Sequence, residues 1–180
     1  MIDLQAGGAF RLLVYKFSRQ PGSTKHIDRD ALAPEDWGQE LIKLPRGGLI
    51  VLDLTLEAVG EGILVTGTAD CTLEGQCARC LTPFERPTEV TFQELFVYEG
   101  HAADDEDVSR VVAEIIDLEP VVRDAIVLDL PLAPLCEENC AGLCAECGAN
   151  LNEEPDHSHG EKADARWAGL SDWVPSQSGE

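Results

Sequence analysis

Cysteine and histidine are the residue types in this sequence whose spacing suggests chemistry. Six of the seven cysteines are closely spaced, and a pair of histidines follows them: Cys77, Cys80, Cys136, Cys140, Cys144, Cys147, His157 and His159. Zn²⁺ takes four tetrahedral thiolate or imidazole ligands, and the two sulfurs of a C-x-x-C turn can reach the same ion. Gly148 directly follows the last cysteine, which favours such a turn because glycine accepts a positive φ. The pattern therefore predicts bound zinc.

The eight ligands can be divided among sites in two ways. In the first, two ions are bound, one by Cys77, Cys80, Cys136 and Cys140 and the other by Cys144, Cys147, His157 and His159. In the second, a single compact site contains Cys136, Cys140, Cys144 and Cys147, and the remaining two cysteines are free or redox-active. We therefore expect one or two zinc ions per chain.

The predicted zinc sites are structural rather than catalytic. A catalytic zinc keeps an open position for water, whereas full thiolate sets are closed. The sequence has no nucleophile elbow, phosphate-binding glycine loop or paired-carboxylate arrangement, so we expect no enzymatic activity. A dithiol catalyst is an alternative for Cys77 and Cys80, but it requires a βαβ setting with the first cysteine at a helix N-terminus. Here that motif lies between predicted strands.

The elements that would position these ligands predict an α+β fold. The run from Leu52 to Leu56 alternates leucine with polar residues, and the run from Ile63 to Leu73 alternates in a similar way. Each predicts a strand with one buried face. Cys71 lies on the inward side of the second run, so we predict that it belongs to the core. With a third strand over residues 88–98, we expect an antiparallel β meander or partial barrel with a short helix and a C-terminal Cys/His-rich zinc-knuckle segment.

The chain divides into four predicted segments. Residues 1–48 are expected to be irregular because Pro and Gly turns interrupt them, and residues 49–135 to form the β-rich core with its helix. The helix is expected in the later part of residues 111–130, with Asp117 as N-cap and Pro120 in its first turn. Residues 136–160 form the Cys/His segment, and residues 161–180 a short helix and a frayed tail.

The charge and hydropathy of the chain exclude several classes of protein. Among 180 residues, 34 are acidic and 13 basic, a net charge of -21 that argues against a general nucleic-acid binder. Residues 99–180 contain 20 acidic and 4 basic residues, so a basic protein is a more natural partner for this half, although the charge could serve solubility alone. No apolar run approaches the ~20 residues of a membrane span. No signal peptide is visible, so we expect a cytoplasmic protein.

Five stretches of the sequence match motifs of a known family: residues 19–23, 71–81, 94–98, 117–136 and 140–152. The most specific is CAGLCAECGANLN at residues 140–152. These stretches resemble the YceD-like family, the large-subunit ribosomal RNA accumulation proteins, and the resemblance covers about the whole chain. The family's pattern often continues with Cys-x-Cys, where this sequence has His157-Ser158-His159. Imidazole can replace thiolate there as a zinc ligand.

The resemblance implies a non-enzymatic factor that supports accumulation or maturation of large-subunit ribosomal RNA in bacteria and plastids. Its partner would be a basic ribosomal protein or an RNA-processing factor. Direct contact with ribosomal RNA would involve the basic residues Arg11, Lys16, Arg19, Lys25, Arg29 and Arg79. The alternative function is that of a cytosolic thiol-redox or zinc-sensing protein. The sequence does not fix the oligomeric state.

Overall fold

The structure is a computed structural model that describes residues 8–15, 17, 21–100, 108–159 and 166. Within these residues the chain forms eight strands and one helix. They are β1 (Arg11–Leu13), β2 (Thr24–Leu32), β3 (Trp37–Gln39), β4 (Ile42–Leu44), β5 (Leu49–Ala58), β6 (Gly62–Gln76), β7 (Pro83–Val97), β8 (Ile115–Asp117) and α1 (Glu119–Asp129). The predicted antiparallel, sheet-rich architecture with one short helix is confirmed for this part of the chain.

β6 is the central strand of the six-stranded main sheet. It pairs with β5 and β7, while β2 extends the sheet beyond β5, and β4 joins the far end of β6. Every pair is antiparallel, and β5, β6 and β7 follow one another as a meander. The predicted inward side chains are buried, among them Leu52 and Leu54 on β5 and Ile63 and Val65 on β6. Period-2 alternation therefore identified the core face of both strands correctly.

The core lies on the inward face of the main sheet. Helix α1 contacts β7 and β3 and buries Val122 and Ile126. The indole of Trp37 is almost fully buried, and its ring centroid lies 5.7 Å from that of Phe10. Cys71 is buried in the same core cluster, as predicted.

Residues 24–44 are not irregular, contrary to the expectation for residues 1–48. They form β2, β3 and β4, and β2 pairs with β5 along all nine of its residues. Only Ile27 and Ala31 are buried in β2, and charged residues of low strand propensity fill most of its other positions. The conformation of β2 depends on its pairing with the strongly apolar β5. The sequence pattern within β2 alone does not reveal that pairing. The predicted segment boundaries at residues 48, 135 and 160 stay predictions.

The N-cap of helix α1 lies one residue later than predicted. Its N-cap is Leu118, while Asp117 ends β8 and accepts the N–H of Glu119 at 3.1 Å. Pro120 lies in the first turn, as predicted. The helix predicted within residues 161–180 lies outside the described residues, apart from Arg166. Across the described ranges, no helix combines the length and the apolar character needed to cross a membrane.

Candidate metal centre

The structure brings the eight predicted ligands together as two groups of four. In each group the ligand atoms all lie within 4.8 Å of one another. The all-cysteine cluster contains Cys77, Cys80, Cys136 and Cys140, and the Cys/His cluster contains Cys144, Cys147, His157 and His159. This is the two-site division of the ligands. Cys136 and Cys140 thus belong to a different group from Cys144 and Cys147, contrary to the single-site alternative.

Two distant parts of the chain form the all-cysteine cluster. Cys77 and Cys80 lie in the turn between β6 and β7, whereas Cys136 and Cys140 follow α1. The Sγ atoms of Cys77 and Cys140 are 3.7 Å apart, and those of Cys80 and Cys136 are 3.6 Å apart. A tetrahedral ion with Zn–S bonds of about 2.3 Å separates its sulfurs by about 3.8 Å. The sulfur spacing therefore fits one zinc ion, and three of the four cysteines are buried.

Arginine side chains join the two halves of the all-cysteine cluster. The guanidinium of Arg79 donates to the carbonyl oxygen of Cys140 at 2.9 Å. The backbone N–H of Arg79 lies 3.4 Å from Sγ of Cys77. From β7, Arg86 donates to the carbonyl oxygen of Leu135 at 2.6 Å. These bonds hold the chain that follows α1 against the β6–β7 turn.

The two C-x-x-C turns share one backbone hydrogen-bond pattern. The N–H of Leu81 donates to the carbonyl of Cys77 at 2.9 Å, and the N–H of Gly148 donates to the carbonyl of Cys144 at 2.9 Å. In each turn the N–H of the first cysteine donates to the carbonyl five residues on, at 2.9 and 2.8 Å. The residue after each turn has a positive φ, 60° at Leu81 and 75° at Gly148. The positive φ predicted for Gly148 is confirmed.

Both histidines direct Nε2 towards the sulfurs of the Cys/His cluster. Nε2 of His157 lies 3.1 Å from Sγ of Cys147. Nε2 of His159 lies 3.2 Å from the sulfurs of both Cys144 and Cys147, and the two Nε2 atoms are 2.9 Å apart. A zinc ion bound to such ligands would separate them by about 3.3 to 3.6 Å. The four atoms therefore converge on a volume that an ion of this size could fill after shifts of a few tenths of an ångström.

Carboxylates lie beside the other ring nitrogen of each histidine. Nδ1 of His157 is 3.3 Å from a carboxylate oxygen of Glu154, and Nδ1 of His159 is 3.7 Å from one of Glu146. A metal-ligating histidine usually donates its second ring N–H to such a group, which fixes its tautomer and orientation. The sequence analysis missed both glutamates. Glu154 lies three residues before His157, and Glu146 lies inside the second C-x-x-C turn. This spacing is the sequence signal from which both contacts could have been predicted.

Comparison with known proteins places the chain in a family. Residues 65–172, which include all eight candidate ligands, match the family model described as "Large ribosomal RNA subunit accumulation protein YceD". The chain belongs to the YceD family. An uncharacterized protein of Mycobacterium tuberculosis is 41% identical to it over 169 residues, which cover 92% of this chain and 81% of the relative.

Two further relatives of this YceD family member come from other organisms. The uncharacterized protein YlbN of Bacillus subtilis is 31% identical over 108 residues, 56% of this chain and 62% of the relative. A chloroplastic protein of Zea mays, named large ribosomal RNA subunit accumulation protein YCED homolog 1, is 51% identical over 37 residues. These cover 21% of this chain and 13% of the maize protein. No solved structure matches the chain.

Several thiols of this YceD family chain have displaced pKa values. Burial raises the pKa of Cys77, but backbone N–H groups that point at its sulfur outweigh burial and lower the pKa to about 6. Backbone N–H groups of the second turn likewise lower the pKa of Cys144 to about 6. Burial together with neighbouring sulfurs raises the pKa of Cys136 to about 12. Because the thiolate is the form that binds metal, the backbone N–H groups in each cluster favour the form of Cys77 and Cys144 that an ion would bind.

Proposed function

We propose that this chain is a non-enzymatic ribosome-biogenesis factor that supports accumulation or maturation of large-subunit ribosomal RNA in the cytoplasm. The observation that carries the proposal is the family match, since the family is named for accumulation of that RNA. Matching proteins of Zea mays and Arabidopsis thaliana have the same name. On this proposal the chain acts by binding a basic ribosomal protein or an RNA-processing factor.

We propose one structural zinc ion in each cluster. The sulfur spacing of the all-cysteine cluster and the carboxylates beside His157 and His159 support ligation. Within residues 136–159 only Cys140 and Gly142 are buried, so apolar packing contributes little to the order of this segment. A bound ion could supply that order, because structural zinc contributes apparent free energies of about 10–16 kcal/mol in small domains. Four protein ligands also leave no position for a catalytic water, which supports a non-enzymatic role.

The main sheet offers a surface for a basic partner. We call the outward side chains of β2, β5, β6 and β7 the open face. They are mostly exposed, while the alternate side chains are buried or half-buried. The four strands are described in full, and their outward side chains include no Lys or Arg. Two exposed carboxylates lie on each strand: Asp28, Asp30, Asp53, Glu57, Asp70, Glu74, Glu85 and Glu89. The open face therefore complements a cationic surface.

Some of these carboxylates lie directly opposite one another on neighbouring strands. The pairs are Asp28 with Asp53, which both contact His26, Asp70 with Glu89, and Glu74 with Glu85, where Lys43 of β4 lies on the other side of Glu74. Like charges at such positions destabilise a sheet, whereas a surface that serves solubility alone mixes both signs. A basic protein would relieve this repulsion, while the phosphates of RNA would add to it. The face thus favours a protein partner.

The arginines proposed for RNA contact also make contacts within the chain. Arg79 holds the all-cysteine cluster, as described above. Arg29 donates to the carbonyl of Arg11 at 3.1 Å, and the guanidinium of Arg11 lies 3.8 Å from the carboxylate of Asp117. Lys16 and Arg19 lie outside the described residues. We therefore propose that any direct contact with ribosomal RNA is secondary to the protein partner.

The test compares ribosomal RNA in cells that lack this protein and are complemented with variants. Cys144→Ser with Cys147→Ser removes two ligands of the Cys/His cluster, and Cys71→Ala is the matched control because it removes a core cysteine that is no ligand. We expect the ratio of large- to small-subunit RNA to fall without the protein. The wild type and Cys71→Ala should restore the ratio, and the double variant should not. An unchanged ratio in cells without the protein would contradict the proposed function.

A further inference from the structure

Asn152 lies between the two clusters and is a ligand of neither. Its Nδ2 donates to Sγ of Cys140 at 3.3 Å, and its Oδ1 accepts the N–H of Ala141 at 2.7 Å. One side chain thus holds both the sulfur of an all-cysteine ligand and the backbone beside it. Hydrogen bonds of this kind to a ligand atom orient it and tune its affinity for metal.

The turn that carries Asn152 is connected to the Cys/His cluster. Nδ2 and the backbone N–H of Asn152 donate to Oδ1 of Asn150 at 3.0 and 3.1 Å. The carbonyl of Asn150 accepts the N–H of Glu154 at 3.0 Å, and the carboxylate of Glu154 lies 3.3 Å from Nδ1 of His157. A continuous series of contacts therefore leads from the sulfur of Cys140 to a ligand of the second cluster.

Backbone contacts fix the same segment against the loop that follows Cys140, and that loop packs on the first C-x-x-C turn. The N–H of Leu151 donates to the carbonyl of Gly142 at 2.9 Å, and Leu143 forms an antiparallel bridge with Asn150. Gly142 has a φ of +81°, and a Cβ added there would lie 3.4 Å from Arg79. The loop between the clusters consequently packs on the residue that already contacts Cys77 and Cys140.

We propose that Asn152 couples the two clusters, so that an ion bound by one strengthens metal binding by the other. The inference rests on the zinc ions of the proposed function. When the Cys/His cluster closes on its ion, it orders the turn at residues 150–157 and presents the amide of Asn152 to Cys140. When the all-cysteine cluster is loaded, its charged sulfur holds that amide and the turn behind it. Such coupling is reciprocal, because both ions bias the same element.

A double-mutant cycle tests the coupling. The zinc affinity of the all-cysteine cluster is measured by competition with a chromophoric chelator in the full-length wild type, Asn152→Ala, Cys144→Ser with Cys147→Ser, and the combined variant. We expect Asn152→Ala and loss of the Cys/His cluster each to weaken this affinity about 10- to 100-fold. Because both changes remove the same contact, the combined variant should be no weaker than either. The exposed Asn139→Ala, next to Cys140, is the control and should bind as the wild type does.

Asn152→Asp separates the proposed coupling from a merely structural role. Aspartate keeps the oxygen that accepts the N–H of Ala141 but loses the donor to the sulfur, so its affinity should fall as that of Asn152→Ala does. Wild-type affinity in Asn152→Asp, or independent, multiplying losses of affinity in the cycle, would overturn the coupling while the proposed function stands. A wild-type chain without any bound zinc would refute the zinc sites themselves. That result can be told apart from the two outcomes that overturn only the coupling.

Discussion

Glu89→Gln should stabilise the fold, because it removes one of two carboxylates that the sheet places face to face. Asp70 and Glu89 are directly opposite on β6 and β7, and both are exposed. Opposed side chains in an antiparallel pair have Cβ atoms about 4.5–5.5 Å apart. Two unit charges at about 5 Å in water repel by about 0.8 kcal/mol. Because the exposed carboxylates can lie further apart than their Cβ atoms, we expect the free energy of unfolding to rise by about 0.2–0.8 kcal/mol at low ionic strength.

Urea unfolding of the zinc-loaded protein at low and high salt measures this gain. Screening over a Debye length of about 3 Å at 1 M salt should remove most of it. Glu138→Gln is the matched control, since it removes the same charge from an exposed loop residue outside the sheet. An equal gain in Glu138→Gln would assign the effect to net charge rather than to the opposed pair. A loss of stability in Glu89→Gln, or a gain that salt does not reduce, would refute the reasoning.

Three other predictions concern the open face and the C-x-x-C turns. Neutralising Asp53, Asp70 and Glu89 together should weaken the binding of oligolysine about tenfold, measured by fluorescence anisotropy. As a control, neutralising the exposed Glu99, Glu137 and Glu138 should change the affinity little. Equal losses of affinity in the two variants would contradict the assignment of binding to the open face. In zinc-free protein, alkylation at neutral pH should reach Cys144 well before Cys71, because Cys144 lies outside the core, whereas Cys71 is buried and burial raises its pKa to about 11. Peptide mapping by mass spectrometry that finds both equally labelled would refute this. Gly148→Ala should lower the free energy of unfolding of the zinc-loaded protein by about 1 kcal/mol, since φ is 75° there, and an unchanged urea midpoint would contradict it.

The long strands could be predicted from the sequence, whereas the edge strand could not. β5 and β6 have many apolar residues at period 2, so their core faces follow from the pattern alone. β2 has two buried residues among nine, and its conformation depends on the partner strand. The division of the ligands also depends on tertiary structure. C-x-x-C spacing joins Cys77 to Cys80 and Cys144 to Cys147, but the path of the chain after α1 decides which pair Cys136 joins.

The distribution of charge could not be predicted either, and the support of the ligands could be predicted only in part. Composition indicated that a basic partner would bind the acidic residues 99–180. The carboxylates of the open face instead lie between residues 28 and 89. Alternation along each strand places side chains that are distant in sequence on one surface. Glu146, Glu154 and Asn152 contact ligands through turn geometry. Single-sequence patterns contain no signal for an amide that reaches back to Cys140.

Zinc content per chain tests the central claim most directly. Elemental analysis of purified full-length protein, with accurate protein quantitation, should find two zinc ions for each chain, because two separate groups of four ligand atoms are each within 4.8 Å. Cys144→Ser with Cys147→Ser should retain one ion, and Cys71→Ala should retain both. A wild-type chain with no zinc, or with one ion that the double variant loses completely, would contradict the account.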